Sequence, residues 1–194
     1  MTVLALAVLA ASSIVWFTVR TGISPMPSSM RARRVMLAAA ADAPDGSIVD
    51  LGCGWGTLAI VFARRYPGRE VIGYELSWIP WLVSLLRKRA LGLHNLSLRR
   101  EDFLRADLPD AAVLLCYLYP RGMDDLSHKL EREGGNPAVI ISNTFALPSA
   151  RPDEVIQLDD VYRTRIYVYR RPAGDRSGTE PPTAPLQLAA EGQG

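Results

Sequence analysis

One segment narrows the possible folds of this chain more than any other. Val49-Asp50-Leu51-Gly52-Cys53-Gly54-Trp55-Gly56-Thr57 follows a short apolar run and precedes a stretch of helix-forming residues. Glycine at every second position is at home in neither a helix nor a strand, so the segment is a turn between the two. A glycine turn leaving a strand and opening a helix is the setting of a nucleotide-type binding loop at the carboxyl end of a sheet strand. Gly52 permits the tight turn off the strand, Gly54 lets a ligand approach the backbone, and Gly56 permits close packing where the helix starts. The spacing is G-x-G-x-G, with Thr57 where a dinucleotide loop places its third small residue. There is no Lys-Ser/Thr ending, so this is not a phosphate-gripping loop. Asp50 sharpens the point. A carboxylate beside a helix N-terminus repels phosphate, but it can pair with an ammonium group, directly or through water.

Flanking patterns extend this loop into a whole domain. Strands are expected over 47–51, 70–74, 96–100, 111–117, 138–142, 155–158 and 164–170. Helices are expected over 28–41, 57–66, 80–91 and 123–132, the third with Ser77 as its cap. The uninterrupted apolar run 111–117 is typical of a strand buried on both faces. Strand–helix alternation implies parallel pairing with right-handed crossovers. The last two strands are joined too tightly for a crossover and must pair antiparallel. Residues 143–153 leave room for a very short helix at most. The expected fold is therefore α/β: a Rossmann-like, seven-stranded, mostly parallel sheet with a C-terminal antiparallel hairpin, in a three-layer αβα sandwich.

Composition removes several function classes. The chain of 194 residues has 22 basic and 20 acidic residues, without the basic excess of a dedicated nucleic-acid binder. Two cysteines, Cys53 and Cys116, and two histidines, His94 and His128, give neither a disulfide framework nor a clustered metal pattern nor a histidine triad. No metal ligand set is expected. Both cysteines read as small buried hydrophobes and both histidines as surface residues. Charge is unevenly placed: residues 1–41 hold Arg20, Arg31, Arg33 and Arg34 and no acid. Ahead of these arginines, the uncharged apolar run 3–19 would reach about 26 Å as a helix, the short end of a membrane span. A cleaved signal peptide wants a basic start that Met1-Thr2 does not offer, and a core helix would show a polar face. The reading adopted is an anchor and linker over 1–25, with Trp16 at an interface and the arginines holding the domain on the cytoplasmic side. The folded domain spans 26–171. Residues 172–194, rich in Pro, Gly and small residues, read as a disordered tail.

Two further acids stand at expected strand ends. Glu75, after the second strand, can accept both hydroxyls of a ribose. Asp102, after the third, can accept from an adenine amino group, and Phe103 can stack on the ring or offer its backbone N–H. An ammonium near Asp50 and an adenosine near Glu75 and Asp102 describe S-adenosylmethionine. Cofactor contacts are thus assigned to Asp50, Gly52, Cys53, Gly54, Trp55, Gly56, Glu75, Asp102 and Phe103.

These blocks, VDLGCGWG, GYEL, EDF and a buried strand ending CYLYP, resemble the class I S-adenosylmethionine-dependent methyltransferases over roughly 47–170. The resemblance implies a methyltransferase and the same sheet with its terminal hairpin. The N-terminal apolar run, then Pro25-Met26-Pro27-Ser28, then a short core, is similar to the membrane-anchored lysine methyltransferases that modify the ATP synthase c-subunit and carrier proteins. That resemblance implies a protein lysine on a membrane-associated partner and a 25–29 segment closing over the cofactor; the near-balanced charge gives no expectation of a nucleic-acid partner. Trp55 departs from the pattern, since those enzymes often carry an acid there.

Methyl transfer needs no metal and no covalent nucleophile, in keeping with so few Cys and His. An amine acceptor must be neutral to attack, and an apolar, aromatic mouth favours the neutral form. Tyr117 and Tyr119, at the end of the fourth strand, are the candidate catalytic residues, with Tyr119 preferred. Asn143 and Thr144, ending the fifth, are secondary candidates. The cluster Arg87, Lys88, Arg89, Arg99 and Arg100 is a solvated face or a contact for anionic headgroups. A nicotinamide-dependent oxidoreductase and a non-catalytic cofactor-binding membrane protein are the alternatives.

Overall fold

A computed structural model describes residues 28–134 and 137–171. Its elements, in chain order, are α1 (Met30–Ala39), β1 (Ser47–Leu51), α2 (Thr57–Arg65), β2 (Val71–Tyr74), α3 (Trp78–Ala90), β3 (Leu96–Arg99), β4 (Ala111–Cys116), α4 (Pro120–Glu133), β5 (Val139–Asn143), β6 (Glu154–Gln157) and β7 (Arg165–Arg170). All seven strands form one sheet in the order β3-β2-β1-β4-β5-β7-β6. The first five are parallel, and β7 runs antiparallel to both β5 and β6. The sequence expectation of fold and strand direction is met. The expected anchor (3–19) and tail (172–194) lie outside the described residues. Among the described residues no helix is long and apolar enough to cross a membrane.

Strand alternation builds two cores. Ile48, Val71, Val113, Val139 and Val168 face one way, against Met36 of α1 and Phe62 of α2. Val49, Ile72, Leu114, Ile140 and Tyr169 face the other way, against Met123 and Leu126 of α4 and the loop residues Phe103, Ala106 and Leu108. Central strands buried on both faces explain the unbroken Val/Ile/Leu runs that announced them. Full burial of Phe62 or Met123 stabilises by roughly 1.5–3 kcal/mol each.

Helix boundaries differ from expectation for identifiable reasons. Ser29 caps α1, its Oγ accepting from Ala32 N at 3.1 Å. α4 begins at Pro120, not at 123, because proline is well placed in a first turn, where its missing N–H is not needed. Ser77 holds the N-cap position of α3 as expected but makes no side-chain capping bond. Instead its own N–H donates to Glu75 at 2.7 Å. The 143–153 connection holds no helix.

Candidate functional site

Each strand of the parallel set delivers its chemistry at the carboxyl end of the sheet. Asp50, on β1, is buried, and its Oδ2 accepts from Ala59 N in the first turn of α2 at 3.0 Å. This bond does the work of a cap, because Gly56, at the N-cap position, has no side chain to offer. Burial pushes the Asp50 carboxyl up to about 7. The Ala59 N–H opposes that shift, and the nearby Glu75 charge adds to it. A buried acid poised near neutrality, with a helix N-terminus on one oxygen, is a natural counter-charge for a cation arriving in the loop.

The loop itself is wound by glycine. Gly52, Gly54 and Gly56 have φ of +69°, +53° and +71°, all in the left-handed region. A side chain at Gly54 would meet only Gly52 O, at 4.0 Å, so the backbone stands open to a ligand. Gly56 serves another end: a Cβ there would lie 2.8 Å from Ser84 Cβ, so its bareness lets α3 dock on the loop. Cys53 is buried, and a Cβ on Gly73 would come within 2.9 Å of its Sγ. Burial and the Asp50 and Glu75 charges push its thiol well above the usual range. Cys53 is therefore a neutral packing residue whose N–H bonds Tyr74 O at 2.8 Å. Trp55 is half-buried, and its carbonyl accepts from Arg87 Nη1 at 2.6 Å.

Glu75, just past β2, ties the loop to α3. One oxygen accepts from Gly54 N at 2.8 Å and the other from Ser77 N at 2.7 Å. Each carboxylate oxygen has two lone pairs, so one on each remains for a diol. Asp102, past β3, folds its own loop: Oδ1 accepts from Leu104 N at 3.0 Å, and Oδ2 lies 3.7 Å from Arg105 Nε. Phe103 is half-buried against the core of the α4 face. Three acids thus stand in sequence along the tips of β1, β2 and β3, as the pattern required. Carboxylates in that order offer a counter-charge at the β1 end and hydrogen-bond acceptors at the β2 and β3 ends.

Past β4, Tyr117 and Tyr119 are both half-buried. Tyr119 is the N-cap residue of α4, and its ring lies over Gly122, where a Cβ would come within 3.1 Å of it. At the end of β5 the geometry adds what no motif announced. Asn143 is buried and donates through Nδ2 to Ser28 Oγ at 3.3 Å, linking the start of the described chain to the β5 tip. Of the 25–29 segment, Pro25, Met26 and Pro27 lie outside the described residues. Thr144 takes φ +71°, a strained setting for a β-branched residue, with its N–H on Arg165 O at 2.7 Å. Such strain gathers at functional sites. Sequence reasoning missed a buried lysine: Lys129 Nζ donates to Ala106 O at 2.8 Å and Leu104 O at 3.4 Å and pairs with Glu133 at 2.6 Å. Its signal was faint, a single cation on the apolar face of α4. Among the described residues no group of Cys, His, Asp and Glu suits a metal ion.

Residues 50–154, from Asp50 to the start of β6, match the family described as the ANTKMT methyltransferase domain. The chain belongs to this family. A relative from Homo sapiens, the lysine N-methyltransferase named for the ATP synthase c-subunit, is 34% identical over 113 residues, 57% of this chain and 47% of that protein. The match thus spans about half the length of the human protein. The protein-lysine N-methyltransferase of Saccharolobus islandicus (strain REY15A) is 26% identical over 136 residues, 70% of this chain and 84% of that one. Among solved structures, an RNA methyltransferase from Salinibacter ruber, in complex with S-adenosyl-L-homocysteine, superposes with a TM-score of 0.67 at 24% identity, covering 76% of this chain and 95% of the other. It shares the fold of this methyltransferase domain.

Proposed function

We propose that the protein is an S-adenosylmethionine-dependent methyltransferase acting on a protein lysine of a membrane-associated partner. The observation that carries the reading is the row of acids at the tips of β1, β2 and β3 around an open glycine loop. Asp50 supplies the counter-charge for the ammonium, Glu75 the acceptors for the ribose hydroxyls, and Asp102 with Phe103 the flank for the base. When bound, the cofactor supplies an already activated methyl group. The chain's task is to position the acceptor, exclude water and keep the attacking amine neutral. Tyr117, Tyr119 and Asn143 face that task at the tips of β4 and β5. Free lysine has a pKa near 10.4, so a mouth walled by tyrosine rings favours the neutral amine. Asn143 Nδ2 on Ser28 Oγ holds the start of the described chain at the β5 tip, beside that mouth.

The lysine acceptor rests on the two relatives described above, both named lysine N-methyltransferases. A single-pass anchor over 3–19, with the domain on the cytoplasmic side, completes the proposal and rests on apolar length and the arginines that follow. The nicotinamide alternative is disfavoured by β7, which enters antiparallel between β5 and β6 where a dinucleotide fold continues in parallel.

Incubation of the protein with membranes and methyl-tritiated S-adenosylmethionine tests the whole reading. Label is expected in a polypeptide, as methyl-lysine, and Asp50→Ala should abolish it. Label in lipid or RNA would refute the acceptor. Binding of S-adenosylhomocysteine without any turnover would leave a cofactor-binding protein only.

A further inference from the structure

α3 carries its apolar residues on the wrong side for a helix that only packs on its own sheet. Its two buried residues are Pro80 and Ser84. Trp78, Leu82 and Leu86 recur every fourth residue on the opposite face and are 57%, 48% and 55% exposed. At 3.6 residues per turn they form one continuous stripe. Scattered exposed leucines need no explanation, but an aligned row opposite the buried face does.

The charge around the stripe says what kind of surface it meets. From residue 76 to residue 100 there is no Asp or Glu. Lys88 and Arg89 close the helix, and the Arg100 guanidinium stacks 4.0 Å from the Trp78 ring centroid. Glu101, next in the chain, is the neighbouring exposed acid. An apolar stripe bordered by cations, with an Arg–Trp pair at one end, has the make-up of a helix lying in the headgroup region of an anionic bilayer. A second copy of this chain would set the same cations against one another and gives no reason for so one-signed a border. We infer that α3 is an interfacial helix: Trp78, Leu82 and Leu86 enter the headgroup–acyl boundary, while Lys88, Arg89 and Arg100 bind anionic headgroups. The stripe begins three residues after Glu75, so a bilayer seated on it lies beside the cofactor mouth.

A dye on α3 tests this in the full chain. Cys53 and Cys116 are buried, so Leu82→Cys takes an environment-sensitive fluorophore selectively. With phosphatidylcholine vesicles containing phosphatidylglycerol, its emission is expected to shift to the blue and to be quenched by lipids brominated near the headgroup. The same dye at Asp124→Cys, exposed on α4 across the sheet, is expected to stay aqueous. Lys88→Gln with Arg89→Gln should raise the lipid concentration at half-shift roughly tenfold or more. A dye at position 82 that stays aqueous on vesicle-bound protein overturns the inference. So does a blue shift without lipid, whether it depends on protein concentration (a second copy) or not (the chain's own apolar 3–19 run). The inference stands apart from the methyl-transfer reading, which S-adenosylhomocysteine binding by the same labelled protein reports separately.

Discussion

Asp50 holds two roles that pull against each other. Its Oδ2 caps α2, yet its burial makes the ionised form expensive in the ligand-free protein. A carboxyl ionising near 3.8 when unfolded and near 7 when folded binds more protons in the folded state between those values. Stability from this group is therefore full below about pH 4 and is lost as pH rises, at about 1.4 kcal/mol per unit, until it levels off near 7. Asp50→Asn keeps an acceptor for Ala59 N and carries no charge. In pH-dependent urea unfolding the variant should gain on the parent as pH rises from 4 to 7 and hold that lead above 7, while losing cofactor binding in calorimetry. A parallel pH profile in the two proteins would refute the assignment. Gly56 makes a simpler case. Alanine there takes a left-handed φ and meets Ser84 Cβ at 2.8 Å. A loss of about 2 kcal/mol or more is expected, from strain and overpacking together, in the same unfolding assay. The glycine spacing and the acid before it were legible in the sequence because backbone freedom and charge belong to single residues. That Gly56 makes room for α3, and that Cys53 is filler behind Gly73, depends on partners 28 and 20 positions away.

Among the elements, α4 does more than cover the second face. Lys129 reaches from its apolar side to the carbonyls of Leu104 and Ala106, and Glu133 neutralises it one turn on. This clamp fixes the loop that carries Asp102 and Phe103, a loop otherwise held by its own turn bonds from Arg105 and Ala106 to Asp102 O. Lys129→Met preserves the buried stem and removes the three contacts. Thermal unfolding should register about 1–3 kcal/mol of lost stability. Cofactor affinity should fall severalfold, with turnover at saturation little changed, as read from a KM-against-kcat comparison. An equal fall in kcat would place Lys129 in the chemistry instead. The buried strands were legible because a strand covered on both faces is apolar throughout. α4 was placed three residues late because Pro120 reads as a breaker until its place in a first turn is known. Lys129 was passed over because one cation among the several charges of a polar helix gives no sign of the carbonyls it will meet.

At the scale of the molecule, the sheet gathers residues from five separated segments at its carboxyl end, and cofactor binding should stabilise the whole. A ligand at a hundred times its Kd adds about 2.7 kcal/mol. With S-adenosylhomocysteine the rise in Tm should grow from pH 5.5 to about 7 and then level, because Asp50 must ionise to meet the ammonium. NAD should give no rise. A pH-independent shift would remove Asp50 from the ligand contact. The local pattern of the chain by itself determined the strand–turn–helix rhythm, the acids at the strand tips and the antiparallel close, because these follow from residue-by-residue apolarity, backbone freedom and loop length. The tertiary structure alone decided that Ser28 meets Asn143, that Thr144 is strained, that Lys129 clamps the Asp102 loop and that α3 turns Trp78, Leu82 and Leu86 outward. Those facts depend on which faces meet after crossovers of tens of residues, and no periodicity within one segment encodes its distant neighbour.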